Sequence, residues 1–208
     1  MRDRGSEAAL VCRMAGAEQQ WLDLKGIMEQ ALKPQRFAHS LAVADASVVM
    51  GRIFGGDLVK LALAGLLHDN AKDLGDDALL ALGEAHGLIT DPAEREKPSL
   101  LHGPVGARRA CQEWGIDDPA ILEAICFHTT GAEGMGKEAC IVFMADLIEP
   151  GRAYDGVAIL RRLCREDLRA AMIEAIEQTL YIYLARAACR HGGSYRCLAW
   201  LKREGHIF

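Results

Sequence analysis

At 208 residues and 22.6 kDa the chain is long enough to bury roughly 70% of its unfolded surface in one core, so it needs no disulfide staple to fold. Half of its residues are hydrophobic and a quarter are charged, a balance that excludes disorder and collagen-like repeats. The net charge of −5 and pI near 5.8 argue against a nucleic-acid partner, because such binding depends on Lys and Arg neutralising phosphates. Seven scattered cysteines, odd in number and never spaced as CxxC, read as reduced thiols of a cytoplasmic protein. The longest uninterrupted apolar run is Leu61–Leu67, far short of the ~20 residues that span a bilayer. No membrane association is expected, and residues 8–14 are interrupted by Arg13 and too short for a signal peptide.

Apolar residues recur at helical spacing almost throughout, and no segment alternates with period two between hairpin turns, so the fold class is all-α. Residues 1–20 are weakly periodic and read as a frayed N-terminal extension to a single domain over 21–208. Trp21, Leu24 and Met28 mark a first helix that stops near Pro34. The stripe Phe37, Leu41, Ala44, Val48 marks a second, ended by Gly55-Gly56. Asp57 is placed to cap a third helix, Leu58 to about Asp69, apolar nearly all round and hence the central buried element. A helix over 76–86 follows, and then 88–101, with Pro92 and Pro98, reads as a long loop. Gly103-Pro104 opens a helix toward Trp114. Asp118-Pro119 pairs an N-cap with a first-turn proline for a helix ending at His128. After a glycine-rich loop over 129–136 come helices at about 138–148, 157–164 and 167–191, and a last one after Gly192-Gly193.

Chemistry concentrates at the ends of these apolar helices. Ala64-Gly65-Leu66-Leu67-His68-Asp69 leaves a carboxylate at the end of a buried helix, which is costly without a compensating cation or donors. Alone, a His-Asp pair is more often a capped helix end. Yet His39, His102, His128 and Asp146 also lie within or at the ends of apolar helical stretches, and four histidines with two aspartates have the composition of a two-metal site. Lys72, three residues past Asp69, can project toward the same mouth and meet a phosphate; its bland alternative is a solvated surface lysine. Arg36 and Arg152 lie within six residues of a candidate ligand and carry guanidinium groups that match phosphate. Thr129 could bond a phosphate or cap its own turn. Arg108-Arg109 read as a solvated helix face, and His86, His191 and His206 as spectators.

Taken in order, Arg36-Phe37-Ala38-His39-Ser40, Gly65-Leu66-Leu67-His68-Asp69 with Lys72-Asp73, His102-Gly103, His128-Thr129 with Gly131 and Met135, and Ala145-Asp146 with Glu149-Pro150 and Arg152 resemble the HD-domain metal-dependent phosphohydrolases. Within them they resemble the YqeK-type symmetrical diadenosine tetraphosphate hydrolases, over about residues 21–190. Lys72 stands where guanosine tetraphosphate hydrolases have an acidic residue, and Asn70 where this family usually has an apolar one. The resemblance implies an HD-domain helical bundle. It implies one metal held by His39, His68, Asp69 and Asp146, with Asp69 bridging to a second held by His102 and His128. Iron is the metal it points to, with manganese and zinc also compatible with the donors. Asp69 and Lys72 are then the catalytic residues, and Arg36, Lys72, Thr129 and Arg152 bind substrate. The implied reaction is attack by a metal-activated hydroxide that splits diadenosine tetraphosphate into two ADP, with a small nucleotide as the only required partner and a homodimer left open. A nucleoside monophosphate phosphohydrolase and a non-catalytic nucleotide sensor are the competing readings.

Overall fold

The computed structural model describes residues 6–185, 191–204 and 207. Their order is α1 (Glu7–Met14), α2 (Glu18–Ala31), α3 (Pro34–Phe54), α4 (Leu58–Leu67), α5 (Asp76–Ala85) and α6 (Pro92–Glu96). A 3-10 turn over Pro98–Leu101 leads into α7 (His102–Trp114), followed by α8 (Pro119–Phe127), α9 (Lys137–Ile148), α10 (Val157–Leu163), α11 (Leu168–Ala185) and α12 (Gly192–Arg203). No strand occurs among the described residues, and the fold is the expected all-α bundle.

Helix α4 is the axle. Every residue from Leu61 to Leu67 is buried, and the helix packs against α1, α3, α8 and α9. Its start is fixed by Asp57, whose carboxylate accepts from the Val59 and Lys60 amides, and Asp118 caps α8 in the same way. Two glycines set the approaches that matter downstream. A Cβ at Gly65 would lie 2.7 Å from Ala44 Cα, so α3 and α4 touch at the backbone. One at Gly103 would lie 2.4 Å from Cys126 O, so the start of α7 presses on the end of α8. The first contact brings His68 to His39, the second His102 to His128. Helix α3 is long and apolar enough to cross a membrane, with a mean hydropathy of 1.2, but it buries Val43, Ala44 and Val48 in this bundle.

Three expectations are corrected. The N-terminal stretch is not frayed over 7–14: Ser6 caps α1, Asp45 accepts from both Ser6 Oγ and the Ala8 amide, and Ala8 and Cys12 are buried against the bundle. Its weak periodicity reflects a short helix held by polar bonds as much as by an apolar stripe. Residues 88–101 are not a plain loop, because Asp91-Pro92 is a cap and first-turn pair and Glu94 closes a capping box to make α6. Arg109 is not solvated; it donates to the Asn70 carbonyl at 2.8 Å and pairs with Glu113. Asn70 itself is buried and donates to the Leu67 and Gly106 carbonyls, so this departure from the family pattern ties α4 to α7. The end of the long helix expected over 167–191 lies partly outside the described residues, as do Cys189 and His206.

Candidate metal centre

Helix ends converge on one cleft. His68 is the C-cap of α4, His128 the C-cap of α8, and His102 the first residue of α7. The carbonyls in the last turn of a helix lack intrahelical partners, and these histidines use them. His68 Nδ1 donates to Gly65 O at 2.8 Å, His128 Nδ1 to Ile125 O at 2.7 Å, and His102 Nδ1 to Ser99 O. Because a carbonyl only accepts, Nδ1 carries the proton in each ring and Nε2 presents a lone pair. His39 lies inside α3, where the carbonyls are already used, and its Nδ1 instead meets Glu149 Oε1 at 3.2 Å. All four Nε2 atoms are thereby free to face inward.

The imidazoles form a contiguous row with ring centroids 5.2 Å apart for His39–His68, 4.9 Å for His68–His128 and 4.8 Å for His102–His128. Asp69 lies along the row. Its Oδ2 is 3.7 Å from His68 Nε2, and its Oδ1 is 3.3 Å from His102 Nε2 and 3.5 Å from His128 Nε2. Asp146 Oδ1 closes the far end, 2.9 Å from His39 Nε2 and 3.9 Å from His68 Nε2. His39, His68 and Asp146 bring one ligand atom each within 4.8 Å of one another, as do His68, Asp69 and His128, so either trio could hold a metal ion.

The polar atoms call for a cation. His68 is fully buried and its Nε2 has no hydrogen-bond partner. His102 and His128 set two lone pairs against each other, Nε2 to Nε2, at 2.9 Å. The protein's own cations are drawn in: Arg36 Nη1 to Asp69 Oδ2 at 2.9 Å, Lys72 Nζ to His102 Nε2 at 3.0 Å, and Arg152 Nη2 to Asp146 Oδ1. Imidazole nitrogens held neutral beside ionised carboxylates are the donors a divalent transition metal takes.

Burial pushes His68 and His102 down to about 4, which keeps both neutral at physiological pH. For Asp69, burial alone would raise the carboxyl, but the imidazoles of His68, His102 and His128 packed around it hold it far below the usual range. Asp146 is likewise lowered, burial being outweighed by the His39 and His68 imidazoles beside it and the charge of Arg152. His39 goes the other way. Its burial is offset by Asp146 and Glu149, and its basicity is raised. Lys72 is lowered by burial, against the attraction of Asp69 and Asp146.

The cleft encloses about 500 Å³ and is lined by Arg36, His39, Asp69, Lys72, His128, Thr129, Asp146 and Arg152 at its charged end. Phe143, Leu147 and Ile176 form an apolar wall beyond them, with Thr130, Thr179 and Ser194 as polar points. Every candidate residue named from sequence lies in or against this cleft. Thr129 Oγ1 is 2.9 Å from His102 Nε2 and 3.0 Å from His128 Nε2, so it faces the site and does not merely cap its turn. Of the presumed spectators, His86 is exposed, whereas His191 is buried, bonds Glu94 at 3.1 Å and caps α12. Glu149 is the residue sequence reasoning did not single out: it is buried beside Pro150 and touches His39 and the Gly151 amide. Its spacing of three from Asp146 was the available signal.

The HD domain family matches residues 36–151. A symmetrical bis(5'-nucleosyl)-tetraphosphatase of Bacillus subtilis is 31% identical over 76% of this chain and 85% of its own. That of Staphylococcus aureus is 33% identical over 84% of this chain and 90% of its own. The crystal structure of a predicted HD superfamily hydrolase involved in NAD metabolism from Clostridium acetobutylicum superposes with a TM-score of 0.85 at 32% identity, covering 88% of this chain and 98% of that one. With a family match over more than half its length and relatives this similar over most of theirs, the chain belongs to the HD domain family, in the branch of the symmetrical bis(5'-nucleosyl)-tetraphosphatases.

Proposed function

We propose that the protein is a cytoplasmic, metal-dependent hydrolase that cleaves diadenosine tetraphosphate between its two central phosphorus atoms and releases two ADP. The observation that carries this reading is the convergence of four inward imidazole lone pairs and two carboxylates on the floor of a cleft rimmed by Arg36, Lys72 and Arg152. His39, His68, Asp69 and Asp146 would hold one ion, and Asp69, His102 and His128 a second, with iron our reading of the metal and manganese or zinc suited to the same donors. Bound divalent cations would lower the pKa of a coordinated water and offset charge on the attacked phosphoryl group.

The chain's own side chains account for the rest. Asp69 brings a different oxygen to each side, Oδ2 nearer His68 and Oδ1 nearer His102 and His128, which suits a carboxylate that would serve two ions. Lys72, Arg36 and Arg152 hold positive charge where a polyphosphate would lie, and guanidinium adds bidentate geometry. Thr129 supplies a hydroxyl at the same level. Phe143, Leu147 and Ile176 offer an apolar face for a nucleoside, so the depth of that wall sets which phosphoryl group reaches the floor. The departing ADP is a weakly basic phosphate, and a strong acid to protonate it is not required. The free cysteines at 12, 111, 126, 140, 164 and 197 support a reducing compartment.

Hydrolysis of diadenosine tetraphosphate in oxygen-18 water tests the reading. ADP should be the sole nucleotide product, with the label in a β-phosphate. Equimolar ATP and AMP, or activity confined to nucleoside monophosphates, would overturn the symmetrical assignment.

A further inference from the structure

Arg161, on α10, lies outside the residues matched by the HD family and does not line the cleft, yet its guanidinium is spent on the backbone of the site's last turn. Nε donates to Ile148 O at 2.9 Å, and Nη2 donates to Glu149 O at 2.8 Å and Arg152 O at 2.9 Å. These carbonyls lie at and just past the end of α9, where the helix ladder no longer supplies donors and Pro150 can supply none; Glu149 O takes the Arg152 amide as well, at 3.0 Å. The turn so held carries two side chains that face the ligands. Glu149 meets His39 Nδ1 at 3.2 Å, and Arg152 bonds Asp146 through both its carbonyl, at 2.7 Å, and its carboxylate.

We infer that Arg161 is a positioning residue for one half of the metal centre, the His39–Asp146 half, acting through the 148–152 turn. Three bonds from one planar fork fix that turn in a way a point charge does not reproduce. Fixing it holds Glu149 against Nδ1, which keeps the His39 proton there and the Nε2 lone pair facing the site. The His102–His128 half has no such dependence, since its rings are held by carbonyls of their own chain segment. The inference rests on the metal-dependent reading above.

Titration of the metal-free full chain with Mn²⁺, followed by the loss of the free-ion electron paramagnetic resonance signal, separates the two. Wild type should take up two ions, and failure to bind any would count against the metal-dependent reading itself. In Arg161→Met one ion should bind about ten- to a hundredfold more weakly while the other keeps its affinity. In the metal-free variant the imidazole ¹⁵N shifts of His39 should lose their Nδ1–H signature while those of His128 keep it. Arg161→Lys, which donates from a single point, should show a smaller one-sided weakening and serves alone if the Met variant does not fold. Two ions bound with wild-type affinities in the Met variant, or in the Lys variant where that serves alone, would overturn the inference, as would equal weakening of both.

Discussion

The two halves of the metal centre are built by different means. In the His102–His128 half, as in His68 between the halves, each ring is oriented by a carbonyl three residues earlier in its own chain. In the other half, His39 is oriented by Glu149, 110 residues away, and Asp146 is flanked by Arg152. The difference follows from where the histidines sit. A histidine at a helix end finds a vacant carbonyl beside it, whereas one inside a helix must recruit a partner from elsewhere in the fold. Locally held ligands therefore keep their geometry as long as their helix end exists. Remotely held ones depend on the packing of α3 against α9.

In the assignment proposed above Asp69 is the one ligand both halves share, and removing it should abolish the contrast. Asp69→Ala is expected to lose both ions and to lower kcat/KM by about a thousandfold or more, the loss of several kcal/mol of charge stabilisation. His39→Ala should spare the ion on the His102 side. Metal analysis of the purified variants checks this, and retention of both ions without Asp69 would remove it from the shared position.

Proton binding should distinguish the halves in the metal-free protein. His68 and His102 are lowered to about 4 by burial, from an unfolded value near 6.5. Between those values the unfolded chain binds more protons than the folded one, so they cost stability progressively as pH falls from about 6.5 to 4. His39 has the opposite sign: its raised basicity stabilises the fold fully below about 6.5, and that contribution is lost as pH rises through its folded value. Two buried histidines outweigh one partly buried one, so urea-unfolding stability of the metal-free chain should fall by a few kcal/mol from pH 7 to pH 4. By ¹⁵N titration His39 should protonate first. A flat stability profile, or His102 protonating before His39, would contradict the assignment.

Lys72 belongs to the locally held half by contact, with Nζ 3.0 Å from His102 Nε2, but its proposed task is toward the substrate. Lys72→Met should therefore keep both ions and lower kcat/KM roughly ten- to a hundredfold, the worth of one charge-assisted bond of about 1.5–3 kcal/mol. Loss of an ion in this variant would make Lys72 part of the scaffold for the metals.

The same contrast explains what was legible in the sequence. His68-Asp69, His102-Gly103 and His128-Thr129 announce themselves because ligand, helix end and orienting carbonyl are neighbours in the chain. Gly65 and Gly103 could be read as motif members, though not that they permit backbone contact, which depends on where another helix passes. The docking of α1 is not legible because Ser6 and Asp45 are 39 residues apart, whereas α6 has a local signal in Asp91-Pro92, which repeats the pattern of Asp118-Pro119. The role of Glu149 is not legible from its own neighbours because it is defined by His39, and Arg161 carries no sequence signal at all.

Glu149 gives the finest test of remote support, because two substitutions separate its shape from its charge. In Glu149→Gln the amide oxygen can still accept the His39 Nδ1 proton, so the inward Nε2 lone pair is kept and only the carboxylate's contribution to ring basicity is lost. In Glu149→Leu nothing accepts that proton, and the partly buried Nδ1–H is left unpaired at a cost of up to about 1–3 kcal/mol unless the ring turns. The Leu variant should weaken one ion about ten- to a hundredfold, as removal of an outer partner does, and the Gln variant by only a fewfold. Both should leave the His102-side ion at its wild-type affinity. Equal weakening by Gln and Leu would assign the effect to charge rather than to proton placement, and weakening of both ions would show that the two halves are not independently supported.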